Sequence, residues 1–369
     1  MDFDSKCQSC GYSMSFDPIT QSLKCPQCGS VKSIKSQEMT EKKEYNPQSE
    51  VECNKNASLR LECENCGAKT SAEDNVNGVC PYCGSTNLKH LSNAIKFRPD
   101  AVIPFKLTKE QAIEKYRAWL GNKKFVPNKL KSTAKLNKME GEYFPSWDFD
   151  FNVDSKIDGV GINTHTRTVT VNVNGQPVTR TETYTTRHPF SGKRFDVFTD
   201  YLNPGHSDIT GYEFRDLGYW DMSDLKVYSP EYLLGFVSKE FNYGLHDGFK
   251  NVTREAKEEI TSRAKRQFRY DNYEYINVKS TFNSIMWRYI YLPVWISSFM
   301  FNKKSYRFLV NGSTGRVTGK VPRSGWKIFG LVMGILVGVL AVVGGILYFI
   351  GHGGLGIGGG KGDGEGSGN

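Results

Sequence analysis

Eight of the nine cysteines of this chain fall in four short knuckles within its first 83 residues. They are Cys7-Gln-Ser-Cys10-Gly11, Cys25-Pro-Gln-Cys28-Gly29, Cys63-Glu-Asn-Cys66-Gly67 and Cys80-Pro-Tyr-Cys83-Gly84. Fourteen residues separate the first two knuckles and thirteen the last two, so one module is used twice. Two cysteines three positions apart on a tight turn place both sulfurs on one metal, and the following glycine permits the positive φ of that turn. Two knuckles joined by a hairpin make a closed four-thiolate site, the zinc-ribbon pattern. A closed site has no open coordination position, so it is structural. The expectation is two structural Zn2+ ions, one held by Cys7, Cys10, Cys25 and Cys28, the other by Cys63, Cys66, Cys80 and Cys83. Iron is chemically compatible with the same ligands. Disulfides suit a secreted chain, whereas the N-terminus Met1-Asp-Phe-Asp-Ser5 is acidic and polar, unlike a signal peptide. Cys53 has no partner knuckle and reads as a plain thiol or as an exchange ligand for Cys63.

The other end constrains the chain as strongly. Residues 328–350 are 23 consecutive uncharged residues, rich in Leu, Val, Ile and Gly. A helix of that length spans about 35 Å, enough for a hydrocarbon core of about 30 Å. No acidic residue occurs between Glu274 and Asp363, while Lys303, Lys304, Arg307, Arg316, Lys320, Arg323 and Lys327 precede the span. The positive-inside rule then predicts a single-pass, C-terminally anchored protein of the cell membrane, with a cytosolic head and a short Gly-rich tail outside. Gly330, Gly334 and Gly338 recur every fourth residue and predict a smooth helix face suited to self-association, although glycine is also common in membrane helices generally.

Between these ends the predicted class is α+β. The expected order is a zinc ribbon (1–35), a polar linker (36–52), a second ribbon (53–92), a β-rich cytosolic domain with a few helices (97–325), the transmembrane helix (328–350) and a Gly-rich disordered tail (351–369). Within the large domain, Thr108-Lys-Glu-Gln111 is a capping box, followed by Ala112, Ile113, Tyr116, Trp119 and Leu120 at helical spacing. Trp147, Phe149, Phe151 and Val153 alternate with Asp and Asn, as in a half-buried strand. Asn174-Gly175 marks a hairpin whose flanking strands are polar on both faces, a pattern that projects or meets a partner rather than forming core. Residues 251–268 read as an amphipathic helix, and residues 289–320 as a final meander. Tyr143-Phe-Pro-Ser-Trp147 and Tyr291-Leu-Pro-Val-Trp295 share Y-x-P-x-W. They are either two similar edge-strand entries or the trace of a duplicated β-rich unit.

Together these residues resemble an uncharacterised group of bacterial membrane-anchored zinc-ribbon proteins. The resemblance rests on the paired C-x-x-C-G ribbons, the segment from Ile103 to Ala112, the two Y-x-P-x-W segments, the stretch from Val310 to Val317, and Pro322 before the span. Members often bear the labels transcription-factor-IIB-type zinc ribbon or primosomal helicase-like protein, labels that follow the ribbon alone. What the resemblance implies is architecture; no activity comes with it.

Charge weighs against the usual role of a zinc ribbon. Residues 1–96 hold 11 Lys/Arg and 12 Asp/Glu, a formal charge of 11 − 12 = −1. Two four-thiolate zinc centres bring this to about −5, the wrong sign for displacing counterions from nucleic acid. No phosphate-binding loop, H-E-x-x-H or nucleophile elbow occurs among the chain's motifs, so catalysis is not expected. The predicted function is a scaffold or adaptor that binds protein partners at the inner face of the membrane. The alternative is a membrane-tethered, nucleic-acid-binding zinc-ribbon protein associated with replication or transcription. A run of eight basic residues with no acid lies between Glu114 and Glu140. Lys123, Lys124, Lys129 and Lys131 in it are expected to meet anionic lipid, or else to form an ordinary solvated loop.

Overall fold

The computed structural model describes residues 6–35, 41–46, 49, 60–64, 69–71, 80, 85–86, 88–90, 98–133, 139–239, 241–302 and 304–352. Strands β1 (Ser15–Asp17), β2 (Ser22–Lys24) and β3 (Val31–Lys32) form a small antiparallel sheet behind the first cysteine pair. Residues 36–52, expected to be a solvated linker, contribute β4 (Lys43–Glu44), which pairs with a strand of the large sheet through Glu44 opposite Met286 and Lys43 opposite Trp287. A second small sheet follows, with β5 (Arg60–Cys63) between β6 (Lys69–Ser71) and β7 (Leu88–His90).

The large domain begins with β8 (Ala101–Val102), α1 (Lys109–Asn122) and α2 (Asn128–Thr133). Helix α1 starts where the capping box predicts. The Thr108 side chain accepts the Gln111 N–H, the Gln111 side chain accepts the Thr108 N–H, and Ala112, Tyr116 and Leu120 are buried. Two long strands follow, β9 (Glu140–Val173) and β10 (Gln176–Pro204), joined at Asn174-Gly175 with φ of 52° and 82°. Those angles are the left-handed pair that a two-residue hairpin needs. Then come α3 (Gly211–Asp216), β11 (Lys226–Val227), β12 (Val237–Ser238), α4 (Leu245–Phe268), β13 (Asn272–Phe301), β14 (Lys304–Asn311), β15 (Val317–Gly319) and α5 (Gly325–His352). The main sheet runs β10-β9-β13-β14-β15.

Within this domain one β-α-β-β unit occurs twice. The two Y-x-P-x-W segments pair with each other: Tyr143 opposes Pro293, Phe144 opposes Leu292 and Pro145 opposes Tyr291. A local two-fold axis therefore passes between Phe144 and Leu292. The surroundings obey it. Strand β8 runs parallel to β13 with Val102 beside Tyr291, and β12 runs parallel to β9 with Ser238 beside Tyr143. The Gly312 N–H donates to Pro293 O at 2.8 Å, and the Gly205 N–H donates to Pro145 O at the same distance. Trp295 Nε1 donates to Leu107 O at 3.1 Å, matched by Trp147 Nε1 to Tyr243 O at 3.2 Å. Phe105 lies over Gly312 and Phe241 over Gly205, so closely that a Cβ on either glycine would sit 2.5 Å or 2.2 Å from the ring. Each unit's short strand joins the other unit's long strand, so the halves are crossed rather than side by side.

Three sequence expectations change in detail. Asp148 was placed on the solvent face of an alternating strand, yet its side chain is fully buried. Burial raises its carboxyl above the usual carboxylate range, an effect opposed by Lys42 Nζ at 2.9 Å and Arg288 Nε at 2.6 Å from its two oxygens. Helix α4 starts at Leu245 rather than near residue 251. Gly248, an unfavourable helix residue, is required there because a Cβ would meet the Trp147 ring at 2.6 Å. The polar hairpin is far longer than its most obvious stretch: beyond Asn272 opposite Ile162 no β13 residue remains, and residues 163–186 continue as a two-stranded arm exposed along both faces.

Helix α5 contains residues 328–350. It is long and apolar enough to cross a membrane, and none of its apolar stretch is buried against the protein. Gly330, Gly334 and Gly338 have open space where a Cβ would be.

Candidate metal centre

Backbone geometry builds the first cysteine cluster. The Gly11 N–H donates to Cys7 O at 2.8 Å and the Gly29 N–H to Cys25 O at 2.9 Å, with φ of 71° and 76° at the two glycines. Each turn folds its Cys-x-x-Cys pair to one side. The turns are closed by Cys7 N–H to Tyr12 O and Cys25 N–H to Ser30 O, both 2.8 Å. Cys7, Cys10, Cys25 and Cys28 thereby converge, with all four sulfurs within 4.8 Å of one another. Cys7 Sγ lies 3.5 Å from Cys28 Sγ, and Cys10 Sγ 3.5 Å from Cys25 Sγ.

These distances suit a tetrahedral ion. Four sulfurs at about 2.3 Å from a central zinc are about 3.8 Å apart. The electrostatics point the same way. Backbone N–H groups of Ser9 and Cys10, with help from neighbouring sulfurs, outweigh burial and bring the Cys7 thiol down to about 6. Cys10 goes the opposite way. The Tyr12 N–H favours its thiolate, but the sulfurs of Cys25, Cys28 and Cys7 and partial burial push it up to about 12. Four sulfurs this close cannot all ionise by themselves, and a dication at their centre removes the conflict.

The cluster has an inner and an outer half. Cys7 and Cys25 are 3% and 1% exposed and belong to the main apolar core with Met14, Phe16 and Leu23, whereas Cys10 and Cys28 face outward. Phe16 meets Tyr232 edge-on at 5.5 Å, and its N–H donates to Leu234 O at 2.9 Å. Gln21 Nε2 donates to Phe105 O at 2.8 Å. The first ribbon is thus seated on the large domain.

At the second cluster, Cys63 and Cys80 are buried together with Leu88 packed against them. The Cys80 N–H donates to Ser85 O at 2.7 Å, the same turn closure as Cys25 with Ser30. Cys66 and Cys83 lie outside the described residues, as does Cys53.

A second group of potential ligands is already satisfied. Asp148, Asp150 and Asp200 bring carboxylate oxygens within 4.8 Å of one another. Lys42 Nζ sits among them at 2.9, 2.6 and 2.9 Å, and Arg288 closes on Asp148 and Asp200. Sequence reading missed this cluster because Lys42 looked like one more charge in a polar linker.

At the base of the arm, Thr186 lies between two histidines. His165 opposes Tyr184. The Thr186 hydroxyl lies 3.0 Å from His165 Nε2 and 2.9 Å from His188 Nε2.

One curated protein is similar to this chain along almost its whole length. It is the uncharacterised protein YdjG of Bacillus subtilis (strain 168), 26% identical over 377 residues that take in 94% of this chain and 98% of that protein. The likeness runs along the sequence and is not confined to the cysteine segment. No family model matches the chain, and no solved structure matches it.

Proposed function

We propose that this chain is a membrane-anchored adaptor whose two ribbons each hold one structural zinc ion and whose head binds protein partners at the cytosolic face. The observation behind this reading is the division between a closed, inward-packed sulfur cluster and an open, two-sided arm. The first cluster turns Cys7 and Cys25 into the core, so its metal staples the ribbon to the domain and serves no substrate. The arm, residues 163–186, buries neither face in the chain itself. A two-stranded ribbon standing alone is marginal in water, which suits a surface completed by a partner. Anchoring falls to Gly325–Tyr348, and its basic approach favours a cytosolic head. The deficit of positive charge in residues 1–96 argues against nucleic acid as the ligand of the ribbons.

Proximity labelling from the head in living cells tests the proposal. The expected result is a small set of membrane-associated proteins, lost when residues 164–185 are replaced by a tight turn. A yield dominated by nucleic-acid-bound complexes would replace this reading with the nucleic-acid one.

A further inference from the structure

The segment between α1 and α2 is tied to the foot of α5. The Ser324 N–H donates to Phe125 O at 2.6 Å. Lys327, in the first turn of α5, directs its Nζ to Val126 O at 2.8 Å and to Asn128 Oδ1 at 2.7 Å. Phe125 takes a φ of 61° to present its carbonyl, a conformation that costs a non-glycine residue energy and persists only where the surroundings enforce it. Val126 and Leu130 on one side, and Pro322 on the other, are buried, so both partners of this joint are fixed to the domain.

The joint sets the height of the basic run. Trp326 is 84% exposed at the start of the apolar helix, with Phe329 beside it. A tryptophan in that position belongs at the headgroup level of a bilayer. Lys327, its sequence neighbour, holds Val126 and Asn128 at the same level. Lys123, Lys124 and Lys129 flank those two residues and are exposed; Lys123 Nζ rests 4.6 Å over the Trp119 ring. Lys320 and Arg323 approach from the other strand of the joint, also exposed. No acidic residue occurs within either segment.

Resting on the reading of Gly325–Tyr348 as membrane-spanning, we infer that Lys123, Lys124 and Lys129, with Lys320 and Arg323, form a basic collar around the anchor that binds the phosphate groups of anionic lipids. With Trp326 at headgroup level, the collar would fall within about 10 Å of the surface, the range over which a negative membrane acts on a cation. The joint matters because it fixes the backbone at that height, so that binding has to order only the lysine side chains.

The test uses the full chain purified from mixed nanodiscs of equal phosphatidylcholine and phosphatidylglycerol, with retained lipids counted by native mass spectrometry. Phosphatidylglycerol should be enriched about tenfold, from the surface attraction of several lysines acting together. The triple variant K123Q/K124Q/K129Q should fall below about twofold, while neutralising Lys156, Lys193 and Lys279, which lie side by side on β9, β10 and β13, should change nothing. Unchanged metal content reports that the triple variant is folded, and K124Q alone should show an intermediate loss. Absence of enrichment in the parent chain, or its persistence in the triple variant, overturns the collar without touching the adaptor reading. Enrichment erased by inorganic phosphate at 10 mM would assign the lysines to a free anion and overturn it equally (about 10 mM being well above a weak surface site's need).

Discussion

Single residues decide whether the two polar clusters hold. The Cys25→Ser variant leaves three sulfurs around the first site, so, on the proposed count of one ion per ribbon, metal content should drop from two ions per chain to one, read by elemental analysis of purified protein. A retained stoichiometry of two would remove the zinc assignment at Cys7, Cys10, Cys25 and Cys28. Lys42→Ala deprives the buried Asp148 of one of its two cations. Breaking such a buried pair costs about 3–5 kcal/mol, which denaturant unfolding can measure. Asp196 is the acid-sensitive counterpart. Burial alone would raise its carboxyl, but Arg194 at 2.6 and 2.8 Å and Arg263 at 2.8 Å outweigh that and hold it below the usual carboxylate range. A depressed pKa stabilises the fold above the unfolded value of about 3.9, and that stability is lost as pH falls through the folded value. The melting temperature of Asp196→Asn should therefore fall less than that of the parent between pH 6 and pH 3. At this scale the convergence of Cys7, Cys10, Cys25 and Cys28 was legible because their knuckle spacing is the one metal chemistry imposes. Lys42 was not, because its three carboxylates come from Asp148, Asp150 and Asp200, more than a hundred positions away.

Among the elements, the helices and the hairpin turn were legible where a local device fixes them. The Thr108–Gln111 box starts α1, and Asn174-Gly175 turns β9 into β10. The strands were legible only in part. Residues 154–168 of β9 contain Gly159 and Gly161, which break a periodicity argument, yet a Cβ on Gly161 would meet the Tyr270 ring at 2.1 Å. That need is tertiary and leaves no local trace. The pairing of Gly205 with Phe241 and of Gly312 with Phe105 offers a test of the duplication at this scale. Gly205→Ala and Gly312→Ala should each lower stability by about 1–3 kcal/mol from overpacking, and by similar amounts. A large cost at one and none at the other would show that the two sites no longer share their geometry. In the anchor, Gly334→Ile fills the open middle of the small-residue face. If α5 self-associates, this change should abolish the dimer seen by cross-linking in membranes.

For the molecule as a whole, the sequence carried the order of parts better than their relations. An N-terminal cysteine cluster, a β-rich middle and an apolar C-terminal helix could be read from composition and motif, but not the seating of the first small sheet on Phe105 and Tyr232 or the crossing of the two units. Those depend on partners far apart in the chain, which no window of sequence contains. The crossing also bears on how the protein comes into being. Strand β9 can zip to β10 as soon as Pro204 is made, but its other edge waits for Asn272–Phe301. At a synthesis rate of about 5–20 residues per second, that delay is roughly 5–20 s. For that interval Tyr143 to Val153 offers bare backbone and aromatic side chains on the ribosome, and β12 arrives before the strand that will cover its neighbour. Neither unit can finish alone, so a nascent chain stalled before β13 is a half-built sheet open to the wrong partner, and the step most exposed to chaperones lies in the middle of translation rather than at its end.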